Sequence, residues 1–443
     1  MRSAIRAVLC VYGLAILAAA RPLDAGVQAA AAPQPARAKA AAASSPAAPL
    51  TEWPSPAAAG SMAPQLAASH DGRLYLSWLE PAASGGMRFR VAERAADGWI
   101  QLPDIAEGTG LLANWADVPS VFASSGGTLV AHWLQKTSTA SAGYGIRMRV
   151  SLDRGRTWST AVTPHRDDSP TEHGFLSFFD APDGTIGMVW LDGRETAAGT
   201  AGSSHGHGGG ATMLRATTLA PGLVLGPDQL VDGRVCDCCP TAAARTSRGV
   251  IVAYRDRSEQ EIRDIGIARL DRGAWKLGGV IHADGWKISA CPVNGPALAS
   301  NGDAVALAWF SAAGSQGRVQ VTMSRDGGAT FGPPVRLDDE GALGRVDVDL
   351  LPDGSAMVSW IEFAHAKADL RVRRVWPDGR HGPSIVVSPV GADRSSGNPR
   401  LARRGTDLVV AWRTSGAAPH IRIATAKIPA DAGPTPPPEP NSR

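Results

Sequence analysis

An all-β fold of seven repeated blades, a β-propeller, is what this sequence predicts. Three observations carry the prediction: a recurring strand–turn–strand unit, a turn-rich composition, and two copies of one turn motif. The unit is a short apolar strand, a turn containing Gly or Asp-Gly, and an alternating strand ending in an aromatic residue. Its copies run from Pro64 to Trp78, Pro119 to Trp133, Phe175 to Trp190, Pro240 to Tyr254, Pro296 to Trp309, Val346 to Trp360 and Pro399 to Trp412. They recur every 50 to 65 residues or so, roughly the length of four short strands and their turns. Six blades is the competing count, and it requires one copy to be misread. The 50 Gly and 33 Pro, with 44% hydrophobic and 19% charged residues, suit a globular chain built on many turns.

The chain begins with a basic segment, Met1-Arg2-Ser3-Ala4-Ile5-Arg6, and an apolar stretch from Ala7 to Ala20. Residues 1–25 read as a signal peptide, cleaved after Ala20 or Ala25, which implies a periplasmic or secreted protein and removes Cys10. Residues 26–50 form an Ala/Pro-rich linker and 429–443 a Pro-rich tail, neither with enough apolar surface to pack. Between them, 51–428 holds the propeller. Thr51-Glu52-Trp53-Pro54 precedes the first copy without a partner, while the seventh copy stops after its third strand, Ile421-Arg422-Ile423-Ala424-Thr425. The N-terminal strand therefore supplies the missing outer strand and closes the ring. The net charge of +3 falls near neutrality once Arg2 and Arg6 leave, so nucleic acid is not an expected partner. No later segment has the roughly 18 apolar residues of a membrane span. The mature chain is expected to be a monomer without a membrane partner.

Two blades carry the same signature between third and fourth strands. Ser151-Leu152-Asp153-Arg154-Gly155-Arg156-Thr157-Trp158 and Ser324-Arg325-Asp326-Gly327-Gly328-Ala329-Thr330-Phe331 both fit Ser-x-Asp-x-Gly-x-Thr-aromatic. Asp accepts N–H groups within the turn, Gly supplies a positive φ, and the aromatic residue packs inward. Leu270-Asp271-Arg272-Gly273-Ala274-Trp275 reads as a shortened relative. These turns resemble the Asp boxes (BNR repeats) of the sialidase-like propeller superfamily, and the repeat pattern extends the resemblance over about residues 51 to 428. The resemblance implies that the boxes shape turns away from the active face. It also implies an acidic glycan or another small anionic ligand, held by arginines and hydrolysed through a tyrosine activated by a glutamate. The chain lacks the Phe-Arg-Ile-Pro motif of that superfamily and has no tyrosine after Tyr254.

First-strand starts and second-strand ends meet on one face, because antiparallel neighbours place those ends together. That face collects Arg194, Arg255, Arg345 and Arg413, a set able to grip a carboxylate by bidentate hydrogen bonds, or to pair with Asp192, Asp256, Asp347 and Glu362 at the blade edges. Tyr254 is the candidate nucleophile, or else the residue that fills the place of Trp in blade four. Asp117 and Glu362 are candidate acid/base carboxylates. The same face collects Cys236-Asp237-Cys238-Cys239 and Cys291, the least generic feature of the chain. In an exported protein a disulfide from Cys291 to the Cys-x-Cys-Cys group is the first expectation. With His205 and His207 in the Gly-rich loop between the second and third strands of blade three, the cysteines form the alternative, a zinc or copper(I) site. A redox dithiol is the third reading. The overall alternative to a glycan-active protein is a non-catalytic propeller that binds a ligand, metal or protein through this Cys/His face.

Overall fold

The computed structural model describes residues 50–137, 143–198 and 210–428. The expected signal peptide, all of the linker but Leu50, the tail, and the His205/His207 loop lie outside the described residues. Seven antiparallel sheets follow one another along the chain. Their first and second strands are Met62–Ala68 and Leu74–Pro81, Ser120–Ala123 and Leu129–Lys136, His173–Asp180 and Ile186–Asp192, Ala242–Thr246 and Gly249–Arg255, Ala297–Asn301 and Ala304–Ser311, Ala342–Leu350 and Ala356–Ala364, and Arg400–Arg404 and Asp407–Arg413. All seven repeats are thus blades. In blade two the outer strand is reduced to a bridge between Met148 and Val162.

The ring closes as the sequence predicts. Thr51–Trp53 pairs antiparallel with Ile421–Lys427, Trp53 lying opposite Ile423, so the chain's first strand completes its last sheet. Closure removes the open edge that an unfinished blade would present. Apolar side chains pack between neighbouring blades: one cluster joins blades five and six through Phe310, Val348 and Trp360, another joins blades one and seven through Trp78, Val409 and Ile423. Among the described residues helix is confined to three short 3₁₀ turns, and no helix is long and apolar enough to cross a membrane.

The aromatic residue that ends each repeat is a buried post at the blade seam. Trp78, Trp190, Trp309 and Trp360 are fully buried, and a buried indole N–H left unpaired is costly. Side chains two residues apart on a strand share a face, so the residue at that spacing can accept the N–H. Glu80 accepts from Trp78 at 2.8 Å, Gln135 from Trp133 at 3.4 Å, Asp192 from Trp190 at 2.9 Å and Glu362 from Trp360 at 2.5 Å. Blade four puts Tyr254 at the post, and its hydroxyl donates to Asp232 at 2.6 Å.

Both Ser-x-Asp-x-Gly-x-Thr motifs form the same turn on the opposite face. In each, the aspartate accepts the Thr N–H and hydroxyl (2.8 and 2.7 Å at Asp153, 2.9 and 2.7 Å at Asp326) together with the Ser hydroxyl. Gly155 and Gly328 sit at φ 85° and 76°. The shortened relative is something else. Asp271 pairs directly with Ala274 across a two-residue hairpin whose centre, Arg272-Gly273, has both φ values positive, which makes it an ordinary tight β-turn.

Candidate functional site

Entry into the first strands shapes the channel face. Ala63, Phe175, Val293 and Arg345, none of them glycine, adopt φ between 50° and 56°. At Ala63, Phe175 and Arg345 the pairing register of the first strand also shifts there. Such bulges re-aim a chain at its point of entry, and residues held in this region mark places the surrounding structure over-determines. The first strands of all seven blades line a cavity of about 320 Å³ along the ring axis, and Asp117, Asn294, Arg345, Asp347 and Asn398 contribute polar groups to its wall.

Asp117 stands at the entry to blade two and is buried. Its Oδ1 accepts the Phe175 N–H at 2.8 Å and its Oδ2 the Tyr144 hydroxyl at 3.1 Å. Gly174 permits this approach, since a Cβ there would lie 1.8 Å from Oδ2. Burial outweighs the two hydrogen bonds and, with the charge of Glu172, pushes the Asp117 carboxyl up to about 7. Tyr144 is raised well above an ordinary phenol by burial and by the charge of Asp117. Glu172 bridges Tyr144 through the backbone and reaches solvent at the rim, yet its surroundings and the charge of Asp237 raise its carboxyl too.

The cysteines stand beside this group, close enough for Cys238 to raise Tyr144 further. Cys236 and Cys239 are buried, Cys238 and Cys291 half-buried, and all four are free thiols, so the expected disulfide between blades four and five is not formed here. The Cys236 Sγ lies 3.0 Å from that of Cys239 and 3.8 Å from that of Cys238. Fully buried Arg263 donates Nη1 to the Cys236 Sγ at 3.3 Å and to Asp237 at 3.2 Å, and Nη2 to Glu261 at 2.9 Å. Burial pushes the Cys236 thiol up, but hydrogen bonds from Cys238 and Cys239 and the Arg263 charge bring it well below the usual thiol range.

The four predicted arginines do not form a clamp of free cations. Arg255 is buried, donates to the carbonyls of Asn294, Arg263 and Phe310 at 2.8, 2.5 and 2.7 Å, and stacks on Trp286. Arg413 donates to the carbonyls of Ser61 and Ser395. Arg194 forks onto Asp192 at 2.8 and 2.7 Å and reaches Asp228 at 3.0 Å, the one expected blade-edge salt bridge of the set that forms. Arg345 differs. It lines the cavity against Trp115, burial lowers its guanidinium to about 10, and that guanidinium donates to the carbonyls of Gly397 and Asp393.

The two remaining catalytic candidates take structural places. Tyr254 is a core residue whose phenol is pushed far up by burial and by Asp232, and Glu261, close to it in sequence, pairs with Arg257 and Arg263. Glu362 accepts Trp360 on one oxygen and the N–H groups of Asp339, Glu340 and Gly341 on the other, at 3.0, 2.8 and 3.4 Å. It is the blade-six version of the acceptor seen in blades one to three. Tyr144 and Arg263 were not singled out from the sequence. No local motif marks either, since each meets its partner across 27 residues.

No family model matches the chain, and neither does any curated protein. Among solved structures it is similar to a protein of unknown function from Dyadobacter fermentans, at 13% identity and a TM-score of 0.49, covering 86% of this chain and 98% of that one. An α-L-arabinanase from Penicillium chrysogenum matches at 12% identity and a TM-score of 0.47, over 83% and 94% of the two chains. A Hadza microbial sialidase matches at 15% identity and a TM-score of 0.46, over 80% and 76%. The β-propeller rests on this chain's own strand order, and that fold hosts many functions.

Proposed function

We propose that the protein is an exported propeller that recognises an acidic glycan at its channel face. One observation carries this reading: Asp117, a carboxyl near its protonation midpoint at neutral pH, and Arg345, a buried cation with carbonyl partners, line one polar cavity. A hydroxyl-rich ligand suits the hydrogen-bonding wall, and a carboxylate suits Arg345. The Asp boxes, which seat the chain in a sialidase-like pattern, favour the same ligand class. Hydrolysis is the finer reading, in which Asp117 supplies a proton to the leaving group.

The test measures binding of a sialylated oligosaccharide and of its desialylated counterpart by calorimetry, alongside turnover of a fluorogenic sialoside. Binding of the acidic ligand alone, weakened at least tenfold in Arg345→Met and Asp117→Asn, is the expected outcome. Equal or absent affinity for both ligands removes the acidic-glycan reading. Turnover in the wild type that is lost in Asp117→Asn supports hydrolysis, and no turnover restricts the protein to binding.

A further inference from the structure

The four-cysteine group is unused by that reading and stands independently of it. We propose that Cys236, Cys238, Cys239 and Cys291 form a thiolate site for a thiophilic d10 metal ion, zinc(II) or copper(I), set into the channel face between blades four and five.

Convergence is the first argument. The Sγ atoms of Cys236, Cys238 and Cys239 all lie within 4.8 Å of one another, and Cys238 belongs to a second such group with Cys291 and Asp237. The ligands come from two separate entries: the Cys-x-Cys-Cys segment before blade four, where Cys236 N–H bonds the Arg255 carbonyl, and the segment before blade five. A tetrahedral ion with metal–sulfur distances of about 2.3 Å holds its sulfurs about 3.8 Å apart. The Cys236–Cys238 pair stands at 3.8 Å already, and the Cys236–Cys239 pair, at 3.0 Å, has to widen by less than an ångström.

The second argument is charge. Arg263 is 0% exposed, and one of its N–H groups points at the Cys236 sulfur. A guanidinium N–H aimed at a sulfur suits a thiolate, which a bound metal ion keeps deprotonated, better than it suits a disulfide sulfur. Asp237 accepts from the same Nη1 and Glu261 from Nη2, so two carboxylates fix the aim of the guanidinium. Sulfur-only donors are the third argument, since thiolates select zinc(II) and copper(I) over calcium, magnesium or manganese. Binding replaces the S–H bonds still present by S–metal bonds and releases those protons to solvent, so affinity falls as the pH is lowered.

The experiment uses the full chain, expressed and purified without chelator. Elemental analysis should find about one equivalent of zinc or copper per chain, and alkylation with mass spectrometry should find thiols that react only after the metal is removed. Titration of the reduced, metal-free protein with zinc(II) or copper(I), against a chromophoric chelator specific for each, identifies the ion. Cys291→Ser and Cys238→Ser alter half-buried residues and should leave the fold, by circular dichroism, intact while weakening binding at least tenfold. Arg263→Met should weaken it as well. Two native disulfides with no metal uptake after reduction overturn the proposal, and so does uptake unchanged in both serine variants.

Discussion

Asp153 and Asp326 on the turn face, and Asp117 on the channel face, are the same kind of side chain under opposite regimes. Each accepts hydrogen bonds from hydroxyl and backbone donors. Hydrogen bonds from Thr157 hold the Asp153 carboxyl down at about 2, and the equivalent donors hold Asp326 low. Asp117 instead rises to about 7. The hydrogen bonds are similar, and what differs is water. Where solvent remains, donors add to its stabilisation of the anion. Where it is excluded, two donors do not replace it. The turn face therefore builds shape from local carboxylates, while at Asp117 the channel face builds proton affinity by burial.

The largest effect expected on the channel side is structural. Glu362 is 2% exposed and accepts the indole and three backbone N–H groups, so Glu362→Ala leaves four donors without it. A loss of about 3–5 kcal/mol in urea unfolding is expected. A loss below about 1 kcal/mol would show that the seam does not depend on this acceptor, and would return Glu362 to the list of chemical candidates.

Asp117 sharpens the comparison through pH. Its folded-state carboxyl is raised, so the term it contributes is complete below the ordinary carboxylate range near 4 and is lost as pH rises through about 7. The stability difference between wild type and Asp117→Asn should therefore shift by about 2–4 kcal/mol from pH 4 to pH 8, in favour of the variant at the higher pH. Chemical denaturation at both pH values measures it. A flat difference would place Asp117 in a wetter site than its burial indicates, and would weaken its assignment as a proton donor.

Legibility in the sequence follows the same division. The blades, the closing strand and the two Ser-x-Asp-x-Gly-x-Thr turns are readable because each rests on contacts within a few residues or on a period repeated along the chain. The place of Glu362 as an acceptor has a signal in the sequence: Trp78 and Glu80, Trp133 and Gln135, and Trp190 and Asp192 repeat the Trp360–Glu362 spacing. Reading that recurrence identifies a structural acceptor. Tyr254 belongs to the same pattern, as the substituted post of blade four. The partners of Arg255 and Arg413 are backbone carbonyls of other segments, which no side-chain motif encodes. Tyr144 and Arg263 reach Asp117 and Cys236 through blade register alone.

The smallest effect belongs to the turn face, and its pH window is the opposite one. Asp326→Ala and Asp153→Ala leave the exposed Thr330 and Thr157 donors to water, which replaces the lost acceptor, and deprive only one buried hydroxyl each, Ser324 and Ser151, of a partner. Each should lower the unfolding midpoint by roughly a third or less of the Glu362→Ala loss. The carboxyls are held low, so the stability they contribute is present above the ordinary carboxylate range and is lost as pH falls towards about 2. The difference between each variant and wild type should therefore be constant from pH 5 to pH 8 and shrink only in strong acid. If it shrank instead between pH 4 and 7, the turn carboxylates would share the desolvated regime of Asp117, and the contrast between the two faces would fail.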